Sequence, residues 1–188
     1  MLLSHSYDVA LQYASGLHRR QWRKGTHIPY ISHLLAVSSL VMEYGGTETE
    51  AIAALLHDAA EDQGGKERLE EIRVHFGEDV ARIVNDCTDA WTEPKPDWRP
   101  RKEEYIAALE HKPLPSLRVS LADKTHNSES ILRDFLRDGE AVFDKFGGGA
   151  AGTRWYYRTL AEVFSRRLPG ELCERYRRAV EGFSPETR

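Results

Sequence analysis

Apolar residues recur at intervals of three and four along nearly the whole chain, and strict alternation is nowhere sustained. The pattern predicts an all-α protein, a bundle of about eight to ten helices. Helices are expected over 5–22, 30–44, 47–62, 66–75, 78–86, 100–111, 116–137, 153–167 and 170–182. Glycine and proline clusters at 25–29, 45–46, 64–65, 94–100, 113–115 and 147–152 punctuate them. Thr47 followed by Glu50 fits a capping box opening the helix that runs to about Asp62. In the 116–137 segment Leu121, Thr125, Ser128, Leu132 and Phe135 share one stripe. No internal repeat or low-complexity stretch interrupts the pattern, so residues 1–188 read as a single domain, long enough for a substantial core.

Polar positions within this pattern carry the candidate chemistry. In AIAALLHDAAED, residues 51–62, helical geometry puts Ile52, Leu55, Leu56 and Ala59 on one face. His57, Asp58, Glu61 and Asp62 lie on the other. Upstream that second face continues as Ala51 and Ala54, so it too is expected to be covered. Covered carboxylates need a cation or several hydrogen bonds, and no Lys or Arg stands among these residues; a metal ion meets the need. A His-Asp pair alone is uninformative, since ~0.5 are expected by chance in a chain of this composition. The remaining segments decide the matter.

VSLADKTHN, residues 119–127, repeats the design, with Leu121 toward the core and Asp123, Asn127 and Ser130 on the opposite stripe. IPYISHLLAV, residues 28–37, aligns His33 with Val37 and Leu40 and so predicts a buried histidine; a core imidazole satisfied by a carbonyl is the bland alternative. His33, His57, Asp58 and Asp123 together form a mixed nitrogen and oxygen set suited to Mn²⁺, Fe²⁺ or Zn²⁺ and too rich in nitrogen for Ca²⁺. Four protein ligands on a six-coordinate ion leave positions for water and a phosphoryl oxygen, as a phosphohydrolase requires. Glu61 and Asp62 follow one turn beyond the His-Asp pair, within reach of an activated water or a leaving oxygen, with a solvated helix end as the competing reading.

Charge narrows the ligand. With 26 basic and 30 acidic residues the formal net charge is −4, which argues against general nucleic-acid binding. An anionic ligand must then meet a local basic cluster. HRRQWRKG, residues 18–25, supplies one, ending on Arg23 and Lys24 shortly before His33. Residues 94–102 mix further cations with Trp98, as a lid or a surface linker. Trp155, Tyr156 and Tyr157 suit a core, or one of them a base-stacking role. Cys87 and Cys173 stand too far apart for a CxxC site. No run of 18 apolar residues exists, and the N-terminus is polar where a signal peptide would be apolar; a cytoplasmic protein without membrane segments is expected.

Taken together, RRQWRKGTHIPYISHLLAV, AIAALLHDAAED, FGEDVARIVNDCTD and VSLADKTHN resemble the HD-domain hydrolases of the RelA/SpoT-homologue group. They match best the stand-alone small alarmone hydrolases, across most of residues 8–135. The resemblance implies an HD-domain helical bundle with one Mn²⁺ on His33, His57, Asp58 and Asp123. It implies Glu61 and Asp62 as the acid pair near the scissile diphosphate, and Arg23 and Lys24 beside the nucleotide. Asn127 and Tyr156 fall on substrate contacts. The implied reaction removes pyrophosphate from the 3′ position of (p)ppGpp, leaving GDP or GTP; the implied partner is a small nucleotide, with neither nucleic acid nor membrane. Leu34 stands where proline is frequent, and Thr125 and Ser128 where bulky apolar residues are usual. The alternatives are a (p)ppApp hydrolase, another HD-family phosphohydrolase acting on deoxynucleotides or nucleoside monophosphates, and a non-catalytic nucleotide sensor.

Overall fold

The structure is a computed structural model, and it describes residues 2–91 and 94–184. Among these residues the chain forms α1 (His5–Leu17), α2 (Ile31–Glu43), α3 (Glu48–Leu56), α4 (Ala59–Asp62) and α5 (Gly65–Phe76). It continues with α6 (Glu78–Cys87), α7 (Trp98–Leu109), α8 (Leu114–Asp138), α9 (Gly149–Arg167) and α10 (Glu171–Phe183). A 3-10 helix, Gly139–Lys145, links α8 to α9. The all-α expectation holds: among the described residues the only β-type pairing is an isolated bridge between Trp22 and Pro29.

The 25-residue α8 is the axis of the fold and packs against α2, α3, α6, α9 and α10. Pro115 does not end a helix, as the proline cluster suggested, but sits in the first turn of α8, where its missing N–H costs nothing. Surrounded by five helices, α8 buries its apolar stripe and its polar one together: Leu117, Leu121 and Ile131, but also Ser120, Asp123 and Ser128. Thr125 and Ser128 are fully buried, and their hydroxyls donate to the Leu121 and Thr125 carbonyls at 2.7 and 2.9 Å.

The α3 helix opens on the expected capping box: Glu50 N–H donates to the Thr47 hydroxyl, and Thr47 N–H to the Glu50 carboxylate at 2.6 Å. From Glu50 to Leu56 every residue is buried, so both faces are covered. The helix does not run unbroken to Asp62. It ends at Leu56, turns through His57 and Asp58, and resumes as α4. The cause is local. The His57 imidazole Nδ1 takes the Ala54 carbonyl at 2.7 Å, the acceptor a continuing helix would offer to the Asp58 N–H.

The first helix is shorter than the expected 5–22. It stops at Leu17, and residues 18–30 form a loop closed by hydrogen bonds from Arg23 N to Ile28 O and from Tyr30 N to Gln21 O, both 2.9 Å. Gly25 supplies the positive φ of 71° that its turn requires. The glycine-rich stretch before α9 has a different use: Gly147, Gly148 and Gly152 lie against the indole of Trp98.

Candidate active site

Three elements meet over the α3–α4 break. From α2 comes His33, from the break itself His57 and Asp58, and from the middle of α8 Asp123. His57 Nε2 stands 3.0 Å from Asp58 Oδ2 and 3.6 Å from Asp123 Oδ1. His33 Nε2 stands 3.1 Å from Asp123 Oδ1 and 3.6 Å from Asp58 Oδ2. Ligand atoms of His33, His57 and Asp58 lie within 4.8 Å of one another, a spacing that suits one metal ion. Both histidines and Asp123 are buried; Asp58 is partly exposed. All four predicted ligands are thus brought together.

The donor chemistry fits a cation. Because His57 Nδ1 is committed to the Ala54 carbonyl, Nε2 is the nitrogen left to face the carboxylates, and with no ion bound the cation it can offer them is its own proton. Burial lowers the His33 pKa to about 3, against its hydrogen bond with Asp123, so this imidazole is neutral. At His57 burial also opposes charge, but Asp58 and Asp123 outweigh it and hold the pKa well above the usual imidazole range. Two carboxylates, one buried and one partly so, and two imidazoles therefore draw a positive charge to this spot, which a proton or a divalent ion can meet.

Around the four stands a shell that spacing alone did not reveal. Tyr30 donates to Asp58 Oδ2 at 2.5 Å, Lys124 to Asp123 Oδ2 at 2.6 Å, and His126 Nδ1 lies 2.7 Å from His33 Nδ1. Tyr30 precedes His33 by one turn and His126 follows Asp123 by one, so the helical stripe held that signal. Asn127, a predicted contact, donates to Asp123 Oδ1 at 2.6 Å and accepts from Arg23 at 2.5 Å. Arg23 is thereby tied to the cluster through one amide.

Glu61 and Asp62, one turn beyond Asp58, are not freely solvated: Glu61 is partly buried, and Asp62, though exposed as a residue, has a carboxylate engaged by Gln21 and shielded beside Lys95. Lys95, from the segment before α7, lies 2.7 Å from Glu61 Oε1 and 3.6 Å from Asp62 Oδ1. Burial raises both carboxyl pKa values; Asp89 and Asp58 add to the rise at Glu61 and Asp58 to that at Asp62, while Lys95 opposes it at both. The 94–102 stretch is therefore no simple lid or linker: Trp98 onward belongs to α7, and the segment before it reaches the acid pair through Lys95, a residue that no spacing rule could single out.

A cleft of about 580 Å³ opens beside the cluster, lined by Arg23, Lys24, Asp62, His126 and Asn127 among others. Glu61 lines a neighbouring recess of about 400 Å³, which Asp62 shares. Tyr156 is placed differently from expectation. It is buried outside the cleft lining, against Trp98 and with Lys102 Nζ 5.0 Å from its ring, whereas Tyr157 lines the cleft. On α9 the adjacent tyrosines diverge by about 100°, so only one can face the cleft.

An all-helical bundle with a paired His-Asp cluster at its centre defines a class, and the chain belongs to it: residues 10–152 match the HD domain family. Within that class the chain is similar to the guanosine-3′,5′-bis(diphosphate) 3′-pyrophosphohydrolase MESH1 of Xenopus tropicalis, 40% identical over 134 residues that cover 68% of each chain. The enzyme of the same name from Homo sapiens is 36% identical over 131 residues, again 68% of each. Among solved structures, one described as a metazoan ortholog of SpoT that hydrolyzes ppGpp superposes with a TM-score of 0.63 at 26% identity, covering 90% of this chain and 99% of that one.

Proposed function

We propose that this chain hydrolyses the 3′-diphosphate of guanosine nucleotides that carry a 5′-di- or triphosphate, releasing pyrophosphate and leaving GDP or GTP respectively. The observation that carries this reading is the buried convergence of His33, His57, Asp58 and Asp123 beside a cleft whose wall carries Arg23 and Lys24. The similarity to 3′-pyrophosphohydrolases supports the same substrate class. His33, His57, Asp58 and Asp123 hold one Mn²⁺, which when bound supplies Lewis-acid stabilisation of phosphoryl charge and eases deprotonation of water. Glu61 and Asp62 move the protons: one takes a proton from the attacking water, the other returns one to the ribose 3′-oxygen as its bond to phosphorus breaks. Their raised pKa values suit proton exchange nearer neutrality than ordinary carboxyls allow.

Arg23 and Lys24 take phosphate charge, Asn127 contacts the substrate while braced by Arg23, and the aromatic contact falls to Tyr157. The chain acts as a single cytoplasmic catalytic domain on a small nucleotide. No helix among the described residues is long and apolar enough to cross a membrane.

The test is a product assay with Mn²⁺ on guanosine and adenosine 3′,5′-bis(diphosphates). Pyrophosphate release from the guanosine compound is expected, and Asp123→Ala is expected to lose both the bound ion and turnover. Orthophosphate release from 5′-monophosphates alone, or nucleotide binding without turnover, would overturn the assignment.

A further inference from the structure

Gln21 belongs to no predicted set, yet it sits where the cleft and the recess of the acid pair meet, and it lines both. Its side-chain Nε2 donates to Asp62 Oδ2 at 2.7 Å. Its Oε1 lies 2.7 Å from His18 Nδ1 and accepts from Gln63 Nε2 at 2.7 Å. Those three partners fix the amide's orientation. Turned over, it would set its carbonyl oxygen against the Asp62 carboxylate and its NH₂ against the NH₂ of Gln63. His18 in turn is buried and stacked on Tyr30, ring centroids 5.2 Å apart and planes 20° apart. Tyr30 is the residue that donates to Asp58, so one packed unit touches both a predicted metal ligand and a member of the acid pair.

A primary amide N–H can only donate. It engages Asp62 Oδ2 and so fixes how the carboxylate is turned, with Oδ1 left on the side of the Lys95 ammonium, 3.6 Å away. We propose that Gln21 is a positioning residue for the hydrolysis: clamped by His18 and Gln63, it anchors Asp62 through Oδ2 and so holds the carboxylate in one orientation where the cleft meets the recess shared with Glu61. The inference rests on the acid-pair reading above. In keeping with it, burial and Asp58 raise the Asp62 pKa while the Gln21 hydrogen bond lowers it. Gln21 thus also tempers the proton affinity of the group it aims.

The experiment compares Gln21→Met, Asp62→Asn and the double variant, each loaded with Mn²⁺, on guanosine 3′,5′-bis(diphosphate). Gln21→Met keeps the length of the side chain and removes the donor. Its kcat is expected to fall about 10–100-fold, as small misplacements of reacting groups do, with KM within about twofold and bound metal unchanged. The kcat limb governed by Asp62 is expected to move to higher pH, a shift that general loosening of the fold does not produce. In the Asp62→Asn background Gln21→Met is expected to cost nothing further. Wild-type kcat in Gln21→Met beside a slow Asp62→Asn overturns the proposal and spares the acid pair. So does an equal loss from Gln21→Met in both backgrounds. Wild-type kcat in Asp62→Asn overturns the acid-pair reading itself and the proposal with it. If Gln21→Met does not fold, Gln21→Asn, polar but one methylene too short to reach, is read by the same outcomes.

Discussion

His33 and His57 are the same side chain, equally buried and 5.2 Å apart, yet their neighbours drive them in opposite directions. At His57 the charges of Asp58, 3.0 Å away, and Asp123 outweigh burial and raise the pKa, while at His33 burial prevails over Asp123, with Arg23 and His57 adding to the fall. The same competition of burial and neighbours governs Glu61. Burial raises its pKa first, Asp89 and Asp58 add to the rise, and the Lys95 ammonium at 2.7 Å pulls it back. Removing that ammonium in Lys95→Met is therefore expected to raise the Glu61 pKa further. If Glu61 is the member that accepts a proton, it works as a carboxylate, so activity climbs as pH rises through its pKa, and the acidic limb of kcat/KM should move to higher pH. If Glu61 is instead the acid, the basic limb moves up and activity persists to higher pH. A profile with neither limb displaced would show that Lys95 and Glu61 are not coupled in the working enzyme. Metal binding has its own sign. The ion must displace the His57 proton, so Mn²⁺ affinity, measured by calorimetry, is expected to weaken as pH falls.

At the scale of elements the sharpest constraint is steric. A Cβ added at Gly148 would lie 2.6–2.8 Å from three ring carbons of Trp98, although the Gly148 backbone itself, at φ −88°, suits any residue. Gly148→Ala is thus expected to destabilise by about 1–3 kcal/mol through overpacking alone, read from denaturant midpoints. Shrinking the indole in Gly148→Ala/Trp98→Leu should return part of that loss, and an additive double variant would place the strain elsewhere. This contact also shows where sequence reading stops. The glycine run and Trp98 are both visible in the chain, but their meeting depends on α7 lying against α9, which no local period encodes. What periodicity does encode came through: the capping box at Thr47, the burial of His33 in line with Val37, and Asp123 on a covered stripe of α8. The break at His57 did not, because apolar spacing runs on through it and only the imidazole's claim on the Ala54 carbonyl ends the helix. The placement of Tyr156 was illegible for a similar reason. Two adjacent tyrosines are equivalent in composition, and the packing of α9 against Trp98 decides which one faces the cleft.

Across the whole molecule a net charge of −4 has to coexist with an anionic substrate, and the distribution of charge resolves the conflict. Arg23, Lys24, Arg133 and Lys145 line the cleft, while the acids nearest it are largely engaged: Asp134 by Lys145 at 2.9 Å and Asp62 by Gln21 at 2.7 Å. Arg23 and Lys24 are neighbours in sequence but not in role. Lys24 is exposed and makes no ion pair among the described residues, so in its proposed role it would meet the ligand as a hydrated point charge. Arg23 is half-buried and donates to Asn127, which donates to Asp123, so its removal also loosens a predicted metal ligand. The two substitutions should therefore separate. Lys24→Ala is expected to raise KM several-fold with kcat and bound Mn²⁺ unchanged. That penalty should shrink with added salt, since the Debye length falls from about 30 Å at 0.01 M to about 8 Å at 0.15 M. Arg23→Ala is expected to raise KM, lower kcat and weaken Mn²⁺ retention, with a part of the loss that salt does not relieve, because a buried hydrogen-bond chain is screened far less than an exposed charge. Measured side by side across salt, identical profiles for the two variants would mean that the chain from Arg23 to Asp123 carries no energy, and that both residues act only through the field at the mouth of the cleft.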